Sequence, residues 1–462
     1  MKMHDLLAVC CCLIAVVPRG IAQMLTFSAS TYAVGAGPQV IVADVNGDGR
    51  LDLITANENT NNLTVLTNDG NGGFKFYTTL VTAGYPGSAI AADFNRNGRM
   101  DLICNTTLGL EVLTNDGHGV FGPSVTLAVG SSPQAPVAAD INSDGYLDLI
   151  VPSYTSSGTL TLFTNNTHGT FGYHATYSVG SYPACVCAAD VNGDGYVDLI
   201  TASYRGNNGN SLTVLTNNGK GVFGFNARIA VGKAPIWIAA VDVNGDGYVD
   251  LLTANNEAET LTVLTNNGTG VFGINATLTV GGTPVWVSAA DLSGNGRLDL
   301  ITANGGTWTT VPGNGRSLTV LTNNGNGVFG SNVTFSVGNG VLNVVAADVN
   351  ADGKQDLITA NFYDNSVTVL VNATSFPTAA NFPQLTVKQQ GNNMRVSWPS
   401  ASPGWSLQEN VSLERPSWLP SGYDGWPVAD EGGTYPIADD GTTKSLTFPC
   451  SRGSLFFRLL HP

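Results

Sequence analysis

Seven times in this chain an aspartate opens a nine-residue run with oxygen-bearing side chains at positions 1, 3, 5 and 9 and a glycine at position 6. The fifth run shows the pattern in full, with Asp242, Asn244, Asp246, Gly247 and Asp250 in those places. Carboxylate and amide oxygens gathered on a tight turn are the chemistry of a hard cation, and calcium takes about six to eight oxygens at about 2.4 Å. Glycine at position 6 permits the sharp turn that collects them. An EF-hand would need a glutamate at position 12, where this run has Thr253, and its flanks read as strand instead of helix. The expectation is therefore a calcium loop between two β-strands.

The expected ligands are Asp44, Asn46, Asp48 and Asp52; Asp93, Asn95, Asn97 and Asp101; Asp140, Asn142, Asp144 and Asp148; and Asp190, Asn192, Asp194 and Asp198. Asp242, Asn244, Asp246 and Asp250; Asp291, Ser293, Asn295 and Asp299; and Asp348, Asn350, Asp352 and Asp356 complete the set. Up to seven structural Ca²⁺ ions follow. The second and sixth loops offer two carboxylates where the others offer three, so they should bind most weakly. Nineteen of the 34 acidic residues lie in these loops, and the formal charge of −15 argues against nucleic acid as a partner.

Around each loop lies one plan, and the loops begin 49, 47, 50, 52, 49 and 57 residues apart, a period that indicates propellers, solenoids or arrays. In the fifth repeat, β-type runs at 236–240 and 249–254 flank the loop, and two more at 261–265 and 276–280 follow a variable turn and an Asn-Gly hairpin. Four antiparallel strands repeated seven times predict an all-β, seven-bladed β-propeller over residues 23–372. The seventh repeat stops after its third strand, while residues 25–35 match 333–338. The N-terminal strand is expected to complete the last blade and close the ring.

Phe-Gly followed by proline (Phe121-Gly122 to Pro133, Phe171-Gly172 to Pro183, Phe223-Gly224 to Pro235, Phe272-Gly273 to Pro284), together with the acidic loop, resembles the FG-GAP (VCBS-type) repeats. Integrin α-subunit propellers and related secreted bacterial proteins and lectins carry such repeats. The resemblance covers roughly three quarters of the chain. Repeat one departs from it at Phe74-Lys75, and repeat seven at Gly340, which stands in the proline's place.

Residues 1–22 read as a secretory signal peptide: Lys2, an apolar stretch at 6–17 too short to span a bilayer, and Gly20 and Ala22 before a cut at Gln23. The protein is expected to be secreted, extracellular or at a cell surface, without a membrane span, and a monomer. Cys104, Cys185, Cys187 and Cys450 show no disulfide framework, and Cys185 and Cys187 read as small core residues. A linker at 373–383 leads to a C-terminal module at 384–462, read as a small β-sandwich from short alternating runs at 384–388, 394–398, 405–408, 445–448 and 455–459. Trp398, Trp405, Trp418 and Trp426 read there as core filling before a sugar-binding strip.

The turns that vary between repeats should share the face opposite the acidic loops. They carry Tyr85, Tyr154, Tyr182, Tyr204, Trp237, Trp286, Trp308, Phe362 and Tyr363, suited to a glycan or an extracellular protein. Trp237 and Trp286 have an equal claim to packing between blades, and the long turn at 304–316 with Trp308 is the leading contact candidate. His118 and His168 read as turn residues, and no nucleophile elbow or zinc-type histidine pair appears, so the chain reads as non-catalytic. The function expected is a binding or adhesion module. The alternatives are a polysaccharide-active enzyme using the variable face and a structural cell-surface protein.

Overall fold

The computed structural model describes residues 14–15, 25–206, 209–305, 315–323 and 327–375, and strand segments at 386–390, 393–399, 406–410, 419–420, 438–439, 443–449 and 456–460. Contacts divide the chain into a unit at Leu25–Thr374 and a second made of Met1–Met24 and Ser375–Pro462. No helix among the described residues is long and apolar enough to cross a membrane.

The first unit holds seven four-stranded antiparallel sheets. Blade five, at Pro235–Val241, Asp250–Asn255, Thr260–Asn266 and Phe272–Thr279, typifies them. The four expected runs overlap these strands, with ends that differ by one to four residues. The second strand of every blade is buried at all six positions, because it has neighbours on both edges and both faces. The fourth strand alternates half-buried and exposed side chains, as an outer strand must.

The ring closes as expected: Phe27–Ala33 pairs antiparallel with Ser366–Asn372, Phe27 opposite Asn372 and Ala33 opposite Ser366. Asn343 reinforces the seam from within. Its Nδ2 donates to Val40 O at 2.7 Å and its Oδ1 accepts from Val40 N at 3.2 Å, joining blade seven to blade one.

Each apolar core lies between blades. Ile54, Leu63 and Val65 of blade one pack with Leu102 and Leu113 of blade two. Leu252, Leu261 and Val263 of blade five pack with Val287, Leu300 and Leu321 of blade six. Val40 and Leu53 of blade one pack with Ile358, Val367 and Val369 of blade seven. A blade by itself would expose the face that makes its core, so stability requires the neighbours.

A second device links neighbours. The asparagine that ends each third strand, or in blade two lies just beyond it, reaches across to the preceding blade. Asn115 Nδ2 donates to Val45 O at 2.7 Å, Asn165 to Phe94 O at 2.7 Å, and Asn217 to Ile141 O at 2.8 Å. Asn266 reaches Val191 O, Asn323 reaches Val243 O, Asn372 reaches Leu292 O and Asn68 reaches Val349 O, so the circuit is complete. The acceptor is each time the carbonyl of acidic-loop position 2. The same Nδ2 also holds the carbonyl of position 8 in its own blade, as Asn266 holds Val249 O at 3.0 Å.

In the second unit the described strands form two four-stranded sheets. One is ordered Thr386–Gln390, Asn393–Pro399, Thr443–Pro449, Ala438–Asp439, and the other Ile14–Ala15, Phe456–Leu460, Ser406–Asn410, Leu419–Pro420. The five runs expected in this module overlap described strands. The expected signal segment lies outside the described residues except for Ile14 and Ala15, which pair parallel with Arg458 and Leu459. Of the module's tryptophans, Trp405, Trp418 and Trp426 lie outside the described residues.

Asn266→Ala should destabilise the propeller by roughly 2–4 kcal/mol, because two buried carbonyls lose their donor. The exposed neighbour change Asn267→Ala should cost about 1 kcal/mol or less. Urea unfolding of both variants checks the difference, and equal small losses would remove the clamp from the account.

Candidate metal loops and ligand face

In each acidic loop the position-1 aspartate organises the turn. Its Oδ2 accepts the N–H of the position-6 glycine at 2.7–2.8 Å in all seven loops. Its Oδ1 accepts from position 4 or 5, as Asp242 does from Gly245 at 2.7 Å and Asp246 at 3.3 Å. The position-3 amide oxygen takes the position-5 N–H, shown by Asp246 N donating to Asn244 Oδ1 at 2.9 Å. The position-6 glycines all have φ between 76° and 89°, from Gly296 to Gly247, in the left-handed region. Around Gly247 no atom lies within 4 Å of where a Cβ would stand, so backbone angle alone demands glycine there.

Position 9 also braces the backbone. Asp250 is fully buried, its Oδ2 accepting from Val243 N at 3.1 Å and its Oδ1 from Asn266 N at 2.8 Å. The same pair of bonds recurs at Asp52, Asp148, Asp198, Asp299 and Asp356. At Asp101 Oδ1 takes Asn115 N, while Oδ2 is without a partner. Burial pushes the carboxyls of Asp52, Asp148 and Asp299 up to about 6, against the lowering effect of the backbone bonds. Asp101, Asp198, Asp250 and Asp356 are raised for the same reason. Among the described residues no three His, Cys, Asp or Glu side chains converge closely enough to hold a metal ion. By donor chemistry the side-chain oxygens at positions 1, 3 and 5 fit calcium: all oxygen, no nitrogen or sulfur, on one glycine-bent curl. Positions 3 and 5 are at least partly open to solvent in most loops, although Ser293 of the sixth is buried.

The family model for the FG-GAP-like repeat matches residues 44–104, 190–253, 242–302 and 308–359. The propeller is built of FG-GAP-like repeats. Sequence comparison with curated proteins finds no match. Among solved structures, the chain is similar to BBS1N in its complex with ARL6DN, with a TM-score of 0.55, 12% identity, and 77% of this chain and 99% of that one covered. It also aligns with an Agrocybe aegerita lectin described as recognising non-reducing terminal N-acetylglucosamine, at a TM-score of 0.48, 22% identity, and 74% and 87% coverage. Saccharomyces cerevisiae Sqt1 aligns at 0.48, 14% identity, and 78% and 100% coverage. At these identities the BBS1N likeness is one of fold alone.

Each first strand of the FG-GAP-like propeller runs to its acidic loop, so strand starts and second-to-third turns share the other face. There the turns meet the connections between blades: Tyr204 N donates to Tyr182 O, Asn256 N to Ala234 O and Phe362 N to Gly340 O. The aromatics expected on this face separate into groups. Tyr154 packs with Tyr182 at 5.2 Å and Tyr204 at 6.2 Å between ring centroids, and Arg205 lies over Tyr204. Phe362 and Tyr363 meet edge to face at 5.3 Å. Trp237 and Trp286 stack at 3.4 Å. Their other contacts are with the cores between blades four to seven, as packing between blades requires. Trp308 lies outside the described residues.

The tryptophan pair and Tyr85 line a cavity of about 450 Å³ at the start of the innermost strands. Every blade contributes, from Gln39 in blade one to Leu342 in blade seven, which places the cavity on the propeller axis. In blades four to seven a bulge follows the first residue of the innermost strand, and it carries Ala184, Ile236, Val285 and Leu342 to the cavity wall. No sequence periodicity announces this convergence, because it needs the ring.

Other reactive groups are buried or committed to turns. Burial pushes the Cys185 thiol up to about 12, and raises Cys104 and Cys187 well above the usual range. His118 N and His168 N donate to Asp116 Oδ1 and Asn166 Oδ1 within their hairpins, as turn residues do. Glu111 was missed. It occupies the place of Thr64 or Thr262 in other blades, fully buried, with Oε1 accepting from Ala83 N and Oε2 without a partner. Burial raises its carboxyl above the ordinary glutamate value.

Asp250→Asn should cost roughly 1–3 kcal/mol in EDTA, because an amide nitrogen then faces a backbone N–H. Asp246→Asn keeps its bond from Tyr248 N and should change the EDTA melt by about 0.5 kcal/mol or less. Thermal unfolding in EDTA separates brace from metal ligand. Because the folded-state pKa of Glu111 is raised, its contribution is present below the unfolded value and lost as pH rises through the folded one. Glu111→Gln should therefore melt higher than the parent at neutral pH, with the gap closing towards pH 4. A gap independent of pH would show that the Glu111 carboxyl titrates alike in the folded and unfolded chain.

Proposed function

We propose that the chain is a secreted, calcium-binding propeller that binds a glycan or an extracellular protein through the face opposite its acidic loops, without catalysing a reaction. The observation that carries this reading is the segregation of the two faces. The acidic curls and asparagine clamps occupy one, while the axial cavity and the described aromatic groups occupy the other. Alike loops on one side suit a common structural ion, and unlike turns on the other suit a particular partner.

Positions 1, 3 and 5 of each loop would hold Ca²⁺, with the position-7 carbonyl and the position-9 carboxylate behind them. Bound calcium would supply positive charge to a curl that otherwise gathers two or three carboxylates. The remaining work is done by the chain itself. Position-6 glycine bends the curl, position 9 ties it to the third strand, and the asparagine clamp ties it to the next blade. A single site at about a hundredfold excess of ion over its Kd adds about 2.7 kcal/mol to stability.

A glycan array on residues 23–462 in millimolar calcium and in EDTA, with a thermal melt alongside, tests the reading. The melt should rise in calcium, and bound glycan should be retained without release of shorter products. A melt unmoved by EDTA after prolonged chelation would remove the calcium role. Released oligosaccharide would move the chain to the polysaccharide-active class.

A further inference from the structure

The axial cavity has two unlike halves. Blades five to seven supply Ile236, Trp237, Val285, Trp286 and Leu342, an aliphatic and aromatic wall. Blades one to three supply amides and hydroxyls, among them Gln39, Ser88, Asn105, Ser132 and Gln134. Glu58 at the exposed 3-10 turn is the one charged side chain among the described lining residues, and no lysine, arginine or histidine stands with it. An anionic ligand therefore finds no counter-charge.

On the polar wall Ser88 Oγ donates to Asn105 Oδ1 at 2.6 Å and Asn105 Nδ2 to Pro133 O at 3.0 Å, so the spare capacity lies at Gln134. The Gln134 amide reaches only its local backbone, Ser132 O and Pro133 O, both at 3.4 Å, at the long limit of a hydrogen bond. The volume of about 450 Å³ falls in the range of about 300–1,000 Å³ typical of small-molecule sites. A pyranose ring matches such a space, since it presents an apolar C–H face and a rim of neutral hydroxyls. The carboxylate of Glu58 adds an acceptor for two of them.

We propose that the axial cavity binds one neutral sugar ring, with its C–H face against the Trp237–Trp286 pair and its hydroxyls on the amide and hydroxyl side chains of blades one to three. This rests on the reading of the face as a ligand surface and assigns the sugar to the axis instead of the outlying tyrosine groups.

The test is calorimetric titration of the full chain in calcium with glucose, galactose, mannose and N-acetylglucosamine, alongside the near-ultraviolet circular dichroism of the stacked tryptophans. At least one sugar should bind saturably and change the dichroism, and Gln134→Ala should weaken it by about tenfold, the effect of one hydrogen bond. Trp286→Ala should abolish it, and Tyr363→Ala, in a separate aromatic group, should leave it unchanged. Gln134 is half-exposed and outside the core clusters, so its variant reads the site even if Trp286→Ala fails to fold. No response to any of the four sugars overturns the axial assignment, as does binding that survives Gln134→Ala and Trp286→Ala but is lost in Tyr363→Ala. In either case glycan or protein captured elsewhere on the face keeps the wider reading, and a chain that captures neither loses both.

Discussion

The structure depends on a belt of hydrogen bonds that runs around the propeller through backbone and side chain alternately. Asn68 N donates to Asp52 Oδ1, Asp52 Oδ2 accepts from Val45 N, and Val45 O accepts from Asn115 Nδ2 in the next blade. The sequence repeats to Val349 O, which returns to Asn68, and its one gap is at Asp101 Oδ2. The belt matters because no blade owns its core. Apolar burial supplies the driving force between blades but is non-directional, and it would tolerate sliding or splaying. Buried amide-to-carbonyl bonds do not, since a displaced donor leaves a buried acceptor unmet.

The belt also accounts for the division of labour inside the acidic loops. Position 9 sits where the second strand begins, between strands on both sides, and its two oxygens face two backbone amides. Positions 1, 3 and 5 sit on a curl that leaves the sheet. The same residue type thus becomes a buried brace with a raised pKa in one place and a turn-forming acceptor in the other. Because the brace and the neighbour's clamp hold the N–H and C=O of the same position-2 residue, the geometry of one loop is fixed partly by the adjacent blade.

On the opposite face the constraint is weaker, and there the repeats diverge. Seven innermost strands start around one axis, four of them with a bulge that turns a residue inward. Blade one reaches the loop aspartate in one residue fewer, and the innermost strands of blades one and two pair without that bulge. A ring of similar strands thereby acquires an apolar side and a polar side without any change of fold.

Much of this was legible in the chain. The repeated Asp-x-Asn-x-Asp-Gly spacing, the four β-type runs and the stray strand at 25–35 together specify blade number, strand order and closure, because local periodicity and turn chemistry act over a few residues. Glycine at position 6 follows from the loop it must bend. The brace at Asp250, the reach of Asn266 to Val191 and the meeting of Trp237 with Trp286 were beyond such reading. Asn266 ends a strand just before the Asn267-Gly268 pair of a hairpin, and nothing in that window names a carbonyl 75 residues away. Glu111, one departure from a threonine column, becomes significant only when burial removes its water. Local sequence set the elements and their order, and the closed ring decided which polar groups would be buried, and against what.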